Sequence, residues 1–249
     1  MARAFDGTAD YLSRTGAVVT GEPLTMACWF RTTDLTATRT MIGLGNNGAS
    51  GFWRMYFSGT AGDTVVAQKQ SDAAAGGAGA AATGSVADAG WHHGAVRFTN
   101  DTSREAALNG SFGSAETTNT ADPSVDFTSV GSLLRSTAAS FWQGDIAEVG
   151  IWNVALTNSE VVTLASGFSP LLVRPQALVS YWPLFGRAGA AGDEEDWAGG
   201  LTLTQTSSPA LADHPNRIIY PSRPRIIFPA AAAATTVPVF MHHYKQMAA

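Results

Sequence analysis

Two acidic side chains within residues 143–148 are spaced such that they could support acid–base chemistry. Asp145 and Glu148 lie three positions apart in a run with alternating apolar residues, a pattern typical of a β-strand. Retaining glycoside hydrolysis requires two carboxyl groups about 5 Å apart on the same side of the substrate. Positions three apart on a regular strand point to opposite faces, and only a bulge would bring them together. We therefore expect no catalysis at this stretch.

Other catalytic and metal-binding chemistry also lacks the residues that it requires. The chain has no G-x-S-x-G nucleophile elbow of a serine hydrolase. The adjacent pairs His92-His93 and His242-His243 do not suit zinc, because neighbouring residues of a strand point to opposite faces. A single cysteine, Cys28, excludes an intramolecular disulfide, and its place in an alternating apolar face predicts a buried thiol.

The elements that would position these residues are predicted to be short strands and one short helix. Thr157 and Glu160 form a capping-box pattern, an apolar stripe follows, and Gly167 is suited to end the helix. Residues 24–31, 91–98 and 178–184 have the pattern of strands. Such a distribution predicts an all-β protein that contains one helix.

The composition agrees with many short strands joined by turns. The chain has 249 residues, of which 14% are charged and 26 are glycine. Its net charge of −5 argues against nucleic-acid binding, and no apolar stretch is long enough to span a bilayer. No signal peptide precedes the first strand, at Phe5. We therefore expect a soluble protein made in the cytoplasm, or one delivered elsewhere by assembly, without a membrane or nucleic-acid partner.

Several segments, in the same order, resemble LamG-like jelly-roll domains of the concanavalin A-like lectin/glucanase group. Residues 5–12 read FDGTADYL, 24–30 read LTMACWF, 91–96 read WHHGAV and 108–110 read LNG. Residues 141–160 read FWQGDIAEVGIWNVALTNSE, and a YWPL stretch follows at 181–184. The resemblance implies an antiparallel β-sandwich of the concanavalin A-like jelly-roll type. We expect this sandwich to span residues 1–213 and an extended arm to follow it over 214–249.

The same resemblance bears on enzymatic activity and on metal binding. Some glycoside hydrolases of this fold carry Glu-x-Asp-x-x-Glu on a strand, and Gln143 stands here at the position of the nucleophile. An amide cannot form the glycosyl ester, so we expect no enzyme. LamG-like domains often hold Ca²⁺, for which Asp6, Asp10 and Asp145 are loose candidates. The chain has no dense cluster of oxygen ligands, so no metal or other cofactor is assigned.

A glycan site would need an exposed aromatic platform beside amide or carboxylate groups. The chain has seven tryptophans. Trp29, Trp152 and Trp182 lie in strand-like runs and are predicted to be core residues. The candidate glycan-binding residues are Trp53, Trp142, Trp197, Asn46 and Asn47.

The C-terminal tail differs in composition from the rest of the chain. It has no acidic residue after Asp213, five prolines, and a repeat in which RIIYP at 217–221 returns as RIIFP at 225–229. The tail could wrap onto its own sandwich, dock on a neighbouring subunit or remain disordered. The candidate docking residues are Arg217, Ile218, Ile219, Tyr220, Arg225, Ile226, Ile227, Phe228 and Phe240.

These features lead to one predicted function and two alternatives. The absence of catalytic groups, the absence of a signal peptide and the docking tail favour a virion structural protein, either a capsid decoration protein or a tail or fibre component. Its partners would be a major capsid or tail protein and further copies of itself. The main alternative is a carbohydrate-binding module or adhesin that uses exposed aromatic loops to contact surface glycans. A degenerate glycosidase is the third interpretation.

Overall fold

A computed structural model describes residues 1–48, 50–59, 62–73, 77–186 and 192–221. Its strands are short and separated by turns, as the composition predicts. They are β1 (Ala2–Asp6), β2 (Tyr11–Thr15), β3 (Leu24–Arg31), β4 (Thr38–Gly45), β5 (Phe52–Ser58), β6 (Thr64–Gln70), β7 (Ala78–Ala81), β8 (His92–Asn100), β9 (Ser103–Leu108), β10 (Ser111–Phe112), β11 (Phe127–Val130), β12 (Leu133–Leu134), β13 (Ala138–Ala139), β14 (Gln143–Trp152), β15 (Leu178–Trp182), β16 (Thr204–Thr206) and β17 (Ala210–Ala212).

The strands form two antiparallel sheets that pack face to face. Sheet A has the order β10-β9-β8-β3-β14-β1-β17, and β15 also pairs with β14. Sheet B has the order β16-β2-β11-β4-β5-β6-β7, and β12 and β13 form a small separate hairpin. Strands that are distant in the chain are neighbours in both sheets, which is the arrangement of a jelly roll. The predicted β-sandwich is confirmed.

The main core lies between the two sheets and is built from one face of each strand. In β3, Met26, Cys28 and Phe30 face this core and are fully buried. Burial raises the pKa of the Cys28 thiol, which agrees with the predicted structural role. Each such side chain contributes about 2 kcal/mol of hydrophobic stabilisation. The alternate residues of β3 must therefore point out of the sandwich.

A bulge interrupts the central strand β14. Its pairing with β3 shifts register between Ala147 and Gly150, and Glu148 has a left-handed backbone with φ of +56°. Ile146 and Val149 both face the main core, whereas Glu148 faces the opposite side. The predicted regular alternation through this strand, with Val149 and Ile146 on opposite faces, is therefore wrong, because the bulge inserts one extra residue.

The predicted helix is confirmed as α1 (Asn158–Ala165). Thr157 caps its first turn, and the capping box with Glu160 is complete. Val161 and Leu164 are buried in a second apolar cluster on the outer face of sheet A, together with Trp152 and Tyr181. None of the helices in the described ranges has the length and hydrophobicity needed to span a bilayer.

The Gly/Ala-rich stretch 73–84 contributes an edge strand to sheet B. Residues 78–81 form β7 and pair with β6 in sheet B. Residues 74–76 lie outside the described part of the chain. Small side chains allow this edge strand to lie flat, since Gly79 lies close to Val66 and to the backbone of Ala67.

The beginning of the C-terminal tail packs on the sandwich. Ile219 donates a backbone hydrogen bond to the carbonyl of Gly167 at 2.7 Å and accepts one from Ser169 at 3.0 Å. A Cβ at Gly167 would lie 2.3 Å from the carbonyl oxygen of Arg217, so glycine is required both for this approach and for the φ of +92°. Residues 214–221 thus follow the first of the predicted alternatives, an arm that wraps onto its own sandwich.

Candidate functional site

Two partly exposed tryptophans lie close together on the outer face of sheet A. Trp29 and Arg31 point outward from β3, because the alternate residues of this strand fill the core. Trp91 directly precedes β8, the neighbour of β3, in which His93 is paired with Trp29. The pairing of these two strands therefore brings both indole rings to one surface.

The two indoles line a cleft with a volume of about 220 Å³. The end of α1 contributes Ser166 to this cleft, and the C-terminal segment contributes Asn216 and Arg217, both of which are exposed. The cleft thus combines aromatic surface with amide, hydroxyl and guanidinium groups. Because part of its wall belongs to the tail, its shape depends on the docking of residues 214–221.

A second cavity, of about 360 Å³, has Arg31 in its lining. Thr32, Thr33 and Asp145 line it together with Arg31. The Arg31 guanidinium lies over the ring of Trp91, 5.1 Å from its centroid, and forms an ion pair with Asp145. Arg31 thus lines one cavity and stacks on Trp91, which lines the other.

His93 lies behind the Trp29 ring and carries no charge at neutral pH. It is 2% exposed, and its ring meets that of Trp29 edge to face, with 5.5 Å between centroids. Burial lowers the pKa of His93 to about 3, because the charged form would lose its hydration. The W-H-H segment thus supports the tryptophan surface, and no metal is needed to explain it.

Glu148, the predicted acid or base of a hydrolase, is enclosed in the protein. It is 2% exposed, and its carboxylate accepts hydrogen bonds from the Tyr181 hydroxyl at 2.7 Å, the Tyr220 hydroxyl at 2.7 Å and His214 Nε2 at 3.0 Å. Burial, and then the negative charge of Glu148, raise the pKa of both tyrosines. The bulge therefore directs Glu148 to hold the C-terminal segment in place.

The remaining residues of the candidate hydrolase motif are also unsuited to catalysis. Gln143 is exposed and accepts a hydrogen bond from Arg39 at 3.1 Å. Asp145 is held by Arg31. The bulge does place Asp145 and Glu148 on the same side of the strand, contrary to the regular-strand expectation. However, one carboxylate is ion-paired and the other is buried, so neither is placed to act on a glycosidic bond.

Two of the tryptophans predicted to form a glycan platform are core residues. Trp53 and Trp142 are both 0% exposed, and the predicted exposure is wrong for each. Trp53 is on the core face of β5, and Trp142 packs edge to face against Phe30 and Phe57, with centroids 5.6 and 6.4 Å away. A buried ring has no face on which a sugar can stack.

The other candidate glycan residues are at the surface but far apart in the fold. Trp197 is 37% exposed and packs edge to face against Tyr181 and Phe185. Asn46 and Asn47 follow β4 in sheet B, and Asn47 lines a third cavity there. The role of these three residues in glycan binding stays a prediction.

Sequence reasoning missed the cleft tryptophans, although the sequence contains a signal for one of them. Trp29 was predicted to be a core residue and is instead half-buried on the outer face. The alternation that assigned Met26, Cys28 and Phe30 to the core also placed Trp29 on the opposite face. Trp91 had no comparable signal, because it precedes its strand. Trp152 and Trp182 are fully buried, as predicted.

The calcium ligands suggested by the resemblance are only partly brought together: the Asp10 carboxylate accepts a hydrogen bond from the Asp6 amide at 3.2 Å, whereas Asp145 is paired with Arg31. Asp6 accepts hydrogen bonds within its own turn from the amides of Thr8, Ala9 and Asp10. The backbone hydrogen bond from Ala9 is the largest cause that holds the pKa of Asp6 well below its usual range. This carboxylate is therefore already fully engaged by protein donors.

One group of three acidic side chains in the described ranges is close enough to share a metal ion: Glu22, Asp101 and Asp122. The Lys69 ammonium already bonds all three carboxylates, at 2.9, 2.7 and 2.7 Å respectively. Burial alone would lower the pKa of Lys69, but the three carboxylate hydrogen bonds raise it above its ordinary value. The protein's own cation occupies this cluster, and a divalent ion does not fit without displacing it.

Four of the nine candidate docking residues of the tail lie in the described part of the chain. Arg217, Ile218, Ile219 and Tyr220 lie against α1 and sheet A as described above. Arg225, Ile226, Ile227, Phe228 and Phe240 lie outside the described residues. Docking on a partner, the domain boundary after residue 213, self-association and location in a virion stay predictions.

Comparison with protein families gives a match over most of the sandwich. A sequence model described as the concanavalin A-like lectin/glucanases superfamily matches residues 6–162. A comparison with curated proteins found no match. The family match therefore covers more than half of the chain and includes β3, β8, β14 and the start of α1.

Solved structures with the same fold include proteins that bind sugars. A candidate carbohydrate-binding protein from Bacteroides ovatus is 17% identical, with a TM-score of 0.63 over 88% of this chain and 61% of that one. The CBM40 of the Ruminococcus gnavus IT-sialidase, solved with α2,3-sialyllactose, is 14% identical, with a TM-score of 0.52 over 66% of this chain and 98% of that one. A pentraxin from Limulus polyphemus is 17% identical, with a TM-score of 0.53 over 66% of this chain and 81% of that one. At these identities the likeness shows the fold alone.

Proposed function

Because the chain belongs to the concanavalin A-like lectin/glucanases superfamily, we propose that it is a non-catalytic carbohydrate-binding domain. The observation that carries this proposal is the cleft between Trp29 and Trp91 on the outer face of sheet A. Two partly exposed indoles offer the apolar face of a sugar ring a surface to stack on. The structural neighbours that are carbohydrate-binding modules support this class of function.

The polar groups around the cleft suit a sugar ligand. Ser166, Asn216 and Arg217 provide hydroxyl, amide and guanidinium groups that can exchange hydrogen bonds with sugar hydroxyls. Arg31 stacks on Trp91 and is fixed by Asp145, so this edge of the cleft is held in place before any ligand arrives. A preformed site with a few oriented polar groups is the usual form of a small-ligand pocket.

The proposed ligand site does not include an acid–base pair. Asp145 is neutralised by Arg31, and Glu148 is enclosed by Tyr181, Tyr220 and His214. Binding without hydrolysis is therefore the activity that these side chains support best.

The proposal is tested by measuring binding on an array of neutral and acidic oligosaccharides that includes arabinotriose and α2,3-sialyllactose. The affinity for the best ligand is then measured by calorimetry for the wild type, Trp29→Ala, Trp91→Ala and Trp197→Ala. We expect each cleft variant to bind about ten-fold more weakly or worse, since loss of a stacked aromatic typically costs more than about 1 kcal/mol.

Trp197→Ala is the matched control, because Trp197 is partly exposed but lies outside the cleft. It should bind like the wild type, and thermal melts should show that all the variants are folded. No binding to any glycan on the array, or loss of binding in the control but not in the cleft variants, would contradict the proposal.

A virion structural role is the second candidate, and one observation bears on it. The first copy of the tail repeat, 217–221, pairs with residues 167–169 of its own sandwich. The second copy, 225–229, has the same residue pattern and could make a similar contact on a neighbouring subunit. Light scattering on the full chain and on a 1–221 truncation tests this role: a discrete oligomer that becomes monomeric on truncation would support it, and a monomer in both forms would contradict self-assembly through the tail.

A further inference from the structure

The outer face of sheet B carries two arginines that share one aromatic ring. β5 directs Phe52, Arg54 and Tyr56 away from the core, because its alternate residues fill it. The Arg54 guanidinium lies 5.2 Å from the Phe52 centroid and 4.3 Å from that of Tyr56. Arg135, in the turn between β12 and β13, lies over the same Phe52 ring at 5.7 Å. Two positive charges are thus held side by side by stacking.

Neither guanidinium is neutralised by the described part of the protein. Arg54 donates to the Gln68 side-chain oxygen at 2.6 Å and to the Thr40 hydroxyl at 3.3 Å, and both partners are uncharged. Among the described residues, the Arg135 guanidinium donates one hydrogen bond, to the Ser50 carbonyl oxygen at 3.5 Å. The ion pairs in the described ranges involve other basic residues. Charges withdrawn from water are usually paired, and these two half-buried guanidinium groups have no anionic partner among the described residues.

Burial and the nearby charge of Arg135 both lower the pKa of Arg54, to about 10. Arg54 remains protonated at neutral pH. The nearby carboxylates of Asp72 and Asp126 accept backbone amide hydrogen bonds in the adjoining loops and do not pair with either arginine. An anion bound between the adjoining loops and sheet B would offset the repulsion between Arg54 and Arg135.

A cavity of about 400 Å³ lies beside Arg135. Asn47, Gly48, Ser50 and Ser136 complete its lining, so it is rich in polar groups. Its volume is in the range of small-ligand pockets and exceeds that of a single ion. The planar fork of a guanidinium matches the two oxygens of a carboxylate or a sulfate.

We propose that this cavity binds the carboxylate or sulfate group of an acidic sugar. Arg135 contacts the oxyanion directly, and Arg54, which stacks on the same Phe52 ring outside the cavity lining, adds to the positive potential there. Asn47 and Ser136 bind sugar hydroxyls at the rim. The site lies on sheet B, whereas the Trp29–Trp91 cleft lies on sheet A, so this proposal does not depend on the function proposed for that cleft.

The test is a calorimetric titration of the full chain with glucuronate, with glucose and with inorganic sulfate. We expect glucuronate to bind at least about ten-fold more tightly than glucose, because a charged hydrogen bond contributes about 1.5–3 kcal/mol. Arg135→Gln should lower the affinity for glucuronate by about ten-fold or more. Arg54→Gln should cause a smaller loss, and a melt confirms whether that variant is folded.

Arg174→Gln is the charge-matched control, since Arg174 is paired with Glu160 and packs near α1. It should bind glucuronate like the wild type. An equal loss in this control would show that only net charge matters and would overturn the assignment. Equal affinities for glucuronate and glucose would also overturn the assignment. If sulfate binds as tightly as glucuronate, the site binds free oxyanions and the assignment to a sugar is overturned.

Discussion

The buried imidazole of His93 makes the protein sensitive to acid. Its ring packs against Trp29 beneath the proposed cleft, and burial lowers its pKa from 6.5 to about 3. Between pH 6.5 and pH 3 the unfolded chain therefore binds a proton at His93 that the folded protein does not bind. The contribution of His93 to stability is complete above pH 6.5 and is lost progressively as the pH falls from 6.5 towards 3.

We therefore expect His93→Phe, which keeps a ring against Trp29, to flatten the pH dependence of stability. Between pH 6.5 and pH 3 the free energy of unfolding should fall less steeply than in the wild type, by up to about 1.4 kcal/mol per pH unit. Urea unfolding at several pH values measures both slopes. Equal slopes would show that the wild-type imidazole is protonated in the folded state.

The alternation of side chains along a strand predicts which residues face the core at some positions of the candidate site and not at others. Charged Arg54 and apolar Trp53 are neighbours on one strand, so one of them must face the core, and the pattern favours Trp53. The prediction that Trp53 is exposed did not take this alternation into account. Trp142 lies before β14, where no alternation applies, and its burial follows from packing between the sheets. Long-range contacts of this kind have no local sequence signal.

At the scale of elements, the bulge in β14 links the sandwich to the tail. Glu148 receives three hydrogen bonds there, two of them from residues 214 and 220. Its backbone φ of +56° is unusual for a residue with a side chain. The contacts of its carboxylate therefore stabilise a local conformation that the strand alone would not favour.

We expect Glu148→Gln to destabilise the protein by about 1–3 kcal/mol. The glutamine NH₂ group would face the hydrogen-bond donors that now bind the carboxylate, and two donors cannot bond to each other. The C-terminal segment should loosen, and trypsin should cleave faster after Arg217. Urea unfolding and timed proteolysis measure the two effects. Glu195→Gln, at an exposed position of the acidic loop, is the matched control. A change within about 0.5 kcal/mol in both variants would contradict the role assigned to Glu148.

The strands and the helix were predictable to different degrees from local patterns. The strand over 24–31 and the capped helix after Thr157 follow from periodicity and capping, and both are confirmed. The bulge could not be predicted, because it depends on the register of β14 against β3 and on donors far along the chain. The proposed cleft was missed for the same reason, since it joins β3, the start of β8 and the C-terminal segment.

At the scale of the whole molecule, the structured part of the chain extends into the predicted arm. Tyr220 is packed against the second apolar cluster and bonded to Glu148, and His214 packs against Phe185. Residues 214–221 also form one wall of the proposed glycan cleft. Both stability and binding should therefore depend on this segment.

We expect a 1–213 truncation to be less stable than a 1–221 truncation by about 2–4 kcal/mol, from the lost hydrogen bonds and buried tyrosine surface. The shorter form should also bind glycan more weakly, because Asn216 and Arg217 are missing. Chemical unfolding and calorimetry compare the two forms, and the full chain is the reference. Equal stability and affinity would show that the tail contributes to neither.

The most direct test of glycan binding at the Trp29–Trp91 cleft is a two-dimensional NMR titration of the indole N–H signals. The best oligosaccharide from the array is added to the full chain, and signals are assigned by tryptophan-to-phenylalanine variants. We predict that the signals of Trp29 and Trp91 shift with saturation, while those of buried Trp53 and Trp142 stay in place. Saturable binding that leaves both cleft signals unmoved, or that shifts Trp197 alone, would contradict the proposed site.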